Sequence, residues 1–453
     1  MRVVRINHKR SLVLFIVVVL AILFILLSKH SSPERHGFSV LDEGDVDENI
    51  HSFATKAVDF VKIAKSRDLV MTKTKNSKPY VRAKTFKSKS TYVDQLQNGD
   101  LKKTLDYGKR KAKIVSNHLS YVIGIVVISC NRPLAIQRSL NGMLKYRPSS
   151  KQFPIVVSQD CGDEKTARAI SKFGNTVRHI RQPDMSEPDV PANMRQFAGY
   201  YKIARHFKWA LTQMFEKMGY NTVLIVEDDL DIAPDFFDYF LATRHLLDED
   251  PTIWCVSAWN DNGKSELIEP NENGKLYRSD FFPGLGWMIT KKLWNELGPK
   301  WPAGFWDDWM RESAQRKNRV CIRPEISRTK TFGRIGVSQG QFYDQHLKFI
   351  VLNDRKFDFL NSDLSYLLQE SYDRKFLKEV EALPVFSIED IIAERTKSFK
   401  AVKVVYLSES HFNRIGSMLG IMLDFKAGVP RAAYHGIVTV MHKGIRIYVA
   451  PNN

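Results

Sequence analysis

Several features are scarce or missing in this 453-residue chain. No Asn-x-Ser/Thr sequence occurs, so N-glycosylation of the chain itself is not expected. No internal repeat is visible, which argues against a repeat architecture. Cysteine is limited to four residues, an even number that suggests two disulfide bonds in an oxidising compartment. The cysteine count alone leaves three pairings open.

Net positive charge is small in most of the chain, although the formal net charge of the whole is +18. Residues 1–120 hold 23 Lys and Arg against 11 Asp and Glu, a net charge of +12, which leaves +6 for the other 333 residues. The excess therefore belongs to an N-terminal tract and not to a folded domain. This distribution argues against a nucleic-acid-binding protein, which the total charge alone would suggest.

One long uncharged apolar run occupies residues 12–27, and four cations precede it: Arg2, Arg5, Lys9 and Arg10. It has no polar face, which excludes a core helix. A cleaved signal peptide and a retained anchor are the two alternatives. The run exceeds a usual signal h-region and no A-x-A-like site follows it. We therefore predict an uncleaved membrane anchor over 11–28, with a cytosolic N-terminus and a luminal remainder.

Short apolar runs alternate with helical spacing from residue 121 onward. Runs typical of buried strands cover 122–130, 154–162 and 223–226, and helical spacing covers 132–146 and 193–219. This alternation predicts βαβ units and a mostly parallel sheet. By contrast, residues 29–115 are polar, rich in Lys and Ser, and poorly periodic. That composition is typical of a stem that spaces a luminal domain from the membrane.

The predicted sheet also selects a cysteine pairing. Cys130 and Cys161 each fall just past the carboxyl end of consecutive strands. Neighbouring strands lie ~4.8 Å apart, within the Cα separation that a disulfide tolerates. We therefore predict Cys130–Cys161, which leaves Cys255 with Cys321.

Three carboxylates follow the apolar run 223–226 directly: Glu227, Asp228 and Asp229. The carboxyl edge of an open parallel sheet is where such folds bind ligands. A cluster of like charges is costly unless a cation or a proton relieves it, so the pattern indicates a metal site that holds a phosphorylated ligand. A solvated acidic turn that caps the next helix is the alternative.

The later part of the chain carries three further signals. Residues 281–311 are unusually rich in Trp, Gly and Pro and contain the pair Asp307-Asp308. Residues 328–346 are Gly-rich and polar, typical of a mobile loop. Beyond about residue 370, the short apolar runs 402–407, 436–442 and 445–451 indicate a small second lobe with β character.

Long motifs in these segments match one known family. They are VVISCNRP (126–133), SQDCG (158–162), ARHFKWAL (204–211), VEDDLDIAPDFF (226–237), GLGWM (284–288), WPAGFWDDWMR (301–311) and RPEISRTKTFGRIGVSQGQFYDQHLKFI (323–350). Together they resemble the N-acetylglucosaminyltransferase I family of Golgi enzymes. The protein O-mannose β-1,2-N-acetylglucosaminyltransferases share parts of the pattern, but they are expected to carry an extra N-terminal domain, for which this stem is too small.

The resemblance implies a GT-A fold, an α/β nucleotide-sugar transferase fold with a DxD-type motif. That motif stands here as Glu227-Asp228-Asp229, which places direct Mn²⁺ binding on Asp229, contact with the ribose or the sugar on Asp228, and support on Glu227. It further implies that phosphate or uracil is bound by Arg132, the uridine by Asp160, and the nucleotide by His206. The cysteine pairing given above agrees with that of the family.

The resemblance also implies inversion at the anomeric carbon, with Asp307 as the general base on the incoming hydroxyl. Without the resemblance, a helix N-cap would be the preferred reading of that aspartate. Val337 and Ser338 would belong to a loop that closes over bound donor. Gln339 stands where family members can have His, so no role is carried over to that side chain.

The sequence therefore predicts an inverting glycosyltransferase that uses UDP-GlcNAc, Mn²⁺ and a high-mannose N-glycan, is anchored in the Golgi membrane and binds no nucleic acid. The alternatives are a protein O-mannose enzyme of similar type, an inactive carbohydrate-binding paralogue, and a different donor specificity on the same fold. The predicted segments are a cytosolic tail (1–10), the anchor (11–28), the stem (29–115), a GT-A catalytic domain (116–333), a linker with the donor-closing loop (334–369) and a C-terminal lobe (370–453).

Overall fold

The computed structural model describes residues 120–334, 336–337, 340 and 342–452. The predicted tail, anchor and stem lie outside the described residues, as does Ser338. Within the described part, no helix is both long and apolar enough to cross a membrane.

The strands agree with the apolar runs of the sequence. In chain order they are β1 (Gly124–Ser129), β2 (Ile155–Gln159), β3 (Arg178–Arg181), β4 (Thr222–Glu227), β5 (Leu230–Ile232), β6 (Ile253–Ser257), β7 (Leu276–Ser279), β8 (Trp287–Thr290), β9 (Val320–Pro324), β10 (Thr329–Thr331), β11 (Ala401–Tyr406), β12 (Phe425–Lys426), β13 (Val429–Pro430), β14 (Val438–His442) and β15 (Ile445–Pro451).

Eleven α-helices lie among these strands in the described residues. They are α1 (Pro133–Tyr146), α2 (Glu164–Ser171), α3 (Ala198–Thr212), α4 (Phe236–Thr243), α5 (Leu246–Glu249), α6 (Lys291–Leu297), α7 (Trp306–Arg311), α8 (Ser313–Arg316), α9 (Gln369–Glu381), α10 (Ile388–Ile392) and α11 (Glu409–Leu419).

The central sheet has eight strands within the described residues, in the order β3-β2-β1-β4-β8-β6-β9-β7. β3, β2, β1 and β4 run parallel to one another, and β6 runs parallel to β9. β8 and β7 run antiparallel to the strands that they pair with. The predicted α/β architecture with a mostly parallel sheet is therefore confirmed.

Both faces of this sheet are buried, which explains the unbroken apolar runs. Ile125 and Val127 of β1 pack into the same core cluster as Leu140 of α1. Val126 packs on the opposite face with Phe207 of α3. Successive side chains of β1 thus point into the two apolar layers in turn. The polar residues that follow β1 lie at the carboxyl edge of the sheet, between α1 and α3.

Two sequence expectations differ from the structure in detail. The helical stretch 193–219 begins as a 3₁₀ helix, Ala192–Phe197, and ends in a π turn, Gln213–Lys217. Tighter turns are common where helices begin, and Pro191 precedes this one. The predicted loop 328–346 begins with a strand, because Thr329 and Thr331 are buried and β10 pairs antiparallel with β5.

Both predicted disulfides are present. Cys130 and Cys161 bond with their Cα atoms 5.2 Å apart, just past the ends of β1 and β2. Cys255 and Cys321 bond with a Cα separation of 4.6 Å and face each other in register on β6 and β9. The first bond ties together the ends of two strands at the carboxyl edge of the sheet.

The C-terminal strands predicted from the sequence are confirmed. β11, β15 and β14 form a three-stranded sheet, and Phe412 and Ile415 of α11 share a core cluster with Val402 and Val449 of its strands. β12 and β13 form a separate antiparallel hairpin, which brings Lys426 to the surface.

Candidate active site

The acidic cluster lies where β4 ends. Glu227 is the last residue of β4, opposite Ile128 of the neighbouring β1. The amide of Asp228 donates to the carbonyl of Ile128 at 3.0 Å, and Ser129 Oγ donates to Asp228 Oδ2 at 2.9 Å. Asp228 is therefore fixed and buried, whereas the Asp229 side chain keeps 14% of its surface exposed. Within the cluster, Asp228 is thus buried, whereas Asp229 and Glu227 are each partly exposed.

Arg132 closes over this cluster from the turn between β1 and α1. Its Nη1 donates to Asp229 Oδ2 at 2.7 Å, and its Nη2 donates to Asp228 Oδ1. Burial raises the pKa of Asp228 to about 6, in spite of the opposing charge of Arg132. The structure therefore brings Arg132, Asp228 and Asp229 together. The positively charged guanidinium of Arg132 is hydrogen-bonded to both carboxylates.

Glu227 connects this cluster with the second predicted site. Burial raises the pKa of Glu227 to about 8, and the charge of Asp229 adds to that effect. Arg132 opposes the rise, and the charges of Asp228 and Asp307 add to it. Asp307 is 80 residues away along the chain, so the fold alone brings it within electrostatic reach of Glu227.

Asp307 is presented by the short helix α7, which packs through Trp306. The Trp306 ring is buried and stacks on Phe207 at 4.3 Å and on Trp287 at 5.5 Å between ring centroids. Phe305 precedes the helix in a left-handed conformation, with φ 51°. These contacts fix the start of α7, while the Asp307 side chain keeps 42% of its surface exposed. The carboxylate is thus held in place yet open to a ligand.

Two side chains that sequence reasoning missed lie beside Asp307. Arg311 Nη1 donates to Asp307 Oδ2 at 2.8 Å, a pairing that the spacing of four residues on a helix would have predicted. Tyr200 of α3 stacks on Phe305 at 4.9 Å. Burial raises the pKa of Tyr200, and the charges of Asp307 and Asp308 raise it further. Aromatic faces and carboxylates therefore share this surface.

Asp160 and His206 lie together on the far side of β1. Asp160 follows β2 and is buried, and its amide donates to the carbonyl of Ser129 at 2.9 Å. His206 Nε2 and Ser158 Oγ share a hydrogen bond of 2.8 Å. Burial lowers the pKa of His206 to about 4, although Asp160 opposes the shift. His206 is therefore neutral at physiological pH.

This depressed pKa gives a pH-dependent stability. Between pH 6.5 and about pH 4, the unfolded chain binds a proton on His206 that the folded chain does not. Stability from this group is thus fully present above pH 6.5 and is lost as the pH falls towards 4, by about 3 kcal/mol. Urea unfolding from pH 7.5 to pH 4.5 should show a smaller loss of stability for His206→Gln than for the wild type. Equal pH slopes would contradict the assignment.

The predicted donor-closing loop reaches the start of α3. A Cβ added to Gly199 would lie 2.8 Å from Val337 Cγ1, so the valine packs directly on that glycine. Val337 nevertheless keeps 43% of its surface exposed. Ser338 lies outside the described residues, and its role stays a prediction. The loop thus connects β10, beside the acidic cluster, with the helix that carries Tyr200 and His206.

Gly333 lies directly against Asp229. A Cβ at this position would overlap Asp229 Oδ2 and lie 2.7 Å from Asp229 Cγ. Gly333→Ala should therefore displace the Asp229 carboxylate and lower kcat/KM about tenfold or more. Gly142→Ala in α1 is the matched control, because nothing lies within 4 Å of its added Cβ. Equal activities of the two variants in a transfer assay would overturn this reading.

The acidic cluster fits a metal that is only partly held by protein. Among the described residues, no group of three or more His, Cys, Asp and Glu side chains could hold a metal ion by itself. Asp228 and Asp229 nevertheless offer carboxylate oxygens, the ligands that hard divalent cations prefer. The guanidinium of Arg132 shows that this pair accepts a cation. A divalent ion there would take its remaining ligands from a diphosphate and water.

A protein with a known name is similar in sequence to most of this chain. An Arabidopsis thaliana protein named alpha-1,3-mannosyl-glycoprotein 2-beta-N-acetylglucosaminyltransferase is 40% identical over 328 residues, which cover 72% of this chain and 73% of that protein.

Two solved structures are more distantly similar. A mannosyltransferase from Pyrobaculum calidifontis, in complex with GDP-Man and Mn²⁺, gives a TM-score of 0.35 at 15% identity and covers 56% of this chain and 72% of its own. Glucosyl-3-phosphoglycerate synthase from Mycobacterium tuberculosis gives a TM-score of 0.32 at 14% identity and covers 50% of this chain and 76% of its own.

The match to a family covers nearly the whole chain. The sequence model of the GNT-I family matches residues 16–453, from the predicted anchor to the C-terminus. The matched range includes the acidic cluster, both disulfides and α7. The chain belongs to the GNT-I family.

Proposed function

We propose that this protein is an inverting transferase with a GT-A fold. In this proposal it moves N-acetylglucosamine from UDP-GlcNAc to the 2-hydroxyl of the α-1,3-linked mannose of high-mannose N-glycans, the step that opens hybrid and complex N-glycan synthesis. Membership of the GNT-I family and the name of the Arabidopsis relative support the reaction and the acceptor. The mostly parallel sheet, with its acidic cluster at the carboxyl edge, supports the fold.

The observation that carries this proposal is a chain of contacts between the two acidic sites. The segment after β10 includes Gly333, which lies against Asp229, and its Val337 packs on Gly199 of α3. The next residue of α3, Tyr200, stacks on Phe305, which directly precedes α7 and its Asp307. A single displacement at a sugar carbon needs a group that neutralises the leaving group on one side and a base on the other. One region of this surface supplies both kinds of group.

In the proposed reaction, Asp307 accepts the proton of the acceptor hydroxyl while that oxygen attacks the anomeric carbon of the donor. Attack from the face opposite the diphosphate inverts the configuration. The stack of Trp306 on Phe207 and Trp287 holds the base in position. Tyr200 and Phe305 offer ring faces on which sugars can pack. Arg132, Asp160 and His206 are proposed to hold the nucleotide, and Val337 and Ser338 to cover it.

Mn²⁺ is the proposed cofactor and Asp229 its proposed ligand. When bound, the ion would neutralise the negative charge that develops on the departing diphosphate. Asp228 is proposed to contact the ribose or the sugar, and Glu227 to support the pair. The short reach between Arg132 and both aspartates supports this assignment, since the cluster is built to hold positive charge.

We further propose that the protein is a single-pass type II protein of the Golgi membrane. The support comes from the sequence: a basic tail (1–10), an apolar anchor (11–28) and a polar stem (29–115) precede the catalytic part. The two disulfides are consistent with an oxidising, luminal compartment.

The decisive test is a transfer assay with the full chain in detergent. UDP-GlcNAc, Mn²⁺ and a five-mannose N-glycan should give a product that is heavier by one N-acetylhexosamine, linked to the 2-position of the α-1,3 mannose. Product with an O-mannosyl peptide alone would favour the protein O-mannose alternative. Binding of the N-glycan without any product from either acceptor would favour an inactive carbohydrate-binding paralogue.

A further inference from the structure

We propose that Asp308 and Lys426 are positioning residues that set how Arg311 is shared with Asp307, so that a C-terminal hairpin controls the reactivity of the base. This inference rests on the proposed role of Asp307. It assigns functions to Asp308, whose side chain shares Arg311 with the base, and to Lys426, which pairs with Asp308. The argument begins with the geometry of that arginine.

Arg311 is held in place, and one of its nitrogens donates hydrogen bonds to two carboxylates. Nη1 donates to Asp307 Oδ2 and to Asp308 Oδ1, each at 2.8 Å. Its Nε donates to the carbonyl of Phe282 at 3.2 Å, and its guanidinium carbon lies 4.9 Å from the centre of the Phe281 ring. Its side chain is 8% exposed. The arginine therefore cannot follow one carboxylate away from the other.

Lys426 holds the second carboxylate from outside the helix. Its Nζ lies 3.1 Å from Asp308 Oδ2, although the two residues are 118 positions apart in the chain. Burial raises the pKa of Asp308, but the charge of Arg311 and the hydrogen bond and charge of Lys426 outweigh it and lower the pKa. Asp308 is thus ionised and bound at both oxygens, one by α7 and one by the β12–β13 hairpin.

This division matters because Asp307 must be free to take a proton. A guanidinium that bonds to Asp307 alone would occupy its oxygen and favour its ionised form, which makes a weak base. Asp308 accepts a second hydrogen bond from Arg311 and so weakens the hold of the guanidinium on Asp307. Lys426 pairs with Asp308 and thereby limits this competition for Arg311. Among the described residues, Glu227 from β4 and Tyr200 from α3 also lie within electrostatic reach of Asp307.

The test compares Asp308→Asn, Lys426→Met and the double variant in the full chain. Asp308→Asn removes an anion and leaves Arg311 to Asp307. We expect kcat to fall about tenfold and the acid limb of the pH profile of kcat/KM to move to lower pH. Lys426→Met should move that limb the opposite way, by a smaller amount. In the double variant the profile should match that of Asp308→Asn, because Lys426 acts through Asp308.

Several controls separate positioning from folding and from the proposed function. Lys443→Met removes another lysine of the C-terminal part, paired with Glu394, and should leave the profile unchanged. Lys426→Arg should restore the wild-type profile. If Asp308→Asn does not fold, the inference is tested by comparing the pH profiles of Lys426→Met and Lys426→Arg. Additive shifts in the double variant, or unshifted profiles in the Lys426 variants, would overturn the inference. Normal turnover of Asp307→Asn would instead overturn the proposed function.

Discussion

Asp307→Asn should lower kcat by at least about a hundredfold and leave the affinity for UDP-GlcNAc unchanged. A positioned general base contributes ~10²- to 10⁴-fold, and an amide cannot take up the proton of the acceptor hydroxyl. The variant should fold normally, because the buried contacts of α7 are made by Trp306 and not by Asp307, whose side chain is 42% exposed. Transfer to a five-mannose glycan and calorimetric binding of the donor would be measured on the same sample.

A matched replacement guards against a general effect of removing a carboxylate. Asp354→Asn makes the same chemical change at a side chain that is 90% exposed and should leave kcat unchanged. Near-normal turnover of Asp307→Asn would remove this residue as the base. A parallel loss of donor affinity would instead indicate that Asp307 holds the nucleotide sugar.

The sheet could be predicted from the sequence because both of its faces are buried. All six residues of β1 and the first five of β4 are buried, so the apolar runs 122–130 and 223–226 are easy to locate. The disulfide between Cys130 and Cys161 followed from the same reasoning. β5 and β10 could not be found in this way, because each has three residues and gains its stability from the other.

The candidate site was predictable only where it follows the sheet. Arg132, Asp228 and Asp229 each come just after a parallel strand, and such strand ends meet at one edge. Lys426 could not be predicted beside Asp308, because the two residues are 118 positions apart and the chain between them includes several elements whose packing no local pattern reports. The same holds for Gly333, whose missing side chain leaves room for Asp229.

Asp229→Asn should abolish most of the metal-dependent affinity for UDP and lower kcat/KM about a hundredfold or more. A metal that stabilises a leaving group contributes several kcal/mol, and a neutral amide binds a divalent cation far less well than a carboxylate does. Calorimetric titration of UDP in the presence and absence of Mn²⁺ separates this effect from direct nucleotide contacts. Removal of Mn²⁺ with a chelator should reduce the wild type to the level of the variant.

Asp231→Asn is the matched control, because this residue follows two positions later and pairs with Arg138 instead of Arg132. It should keep the Mn²⁺ dependence of the wild type. The fold should survive Asp229→Asn, since Asp228 retains its bonds to Ser129 and to Arg132. Undiminished transfer by the wild type in excess chelator would show that Asp228 and Asp229 bind Arg132 and that no metal ion is needed. The positive charge opposite the departing diphosphate would then come from the guanidinium that the structure already holds there.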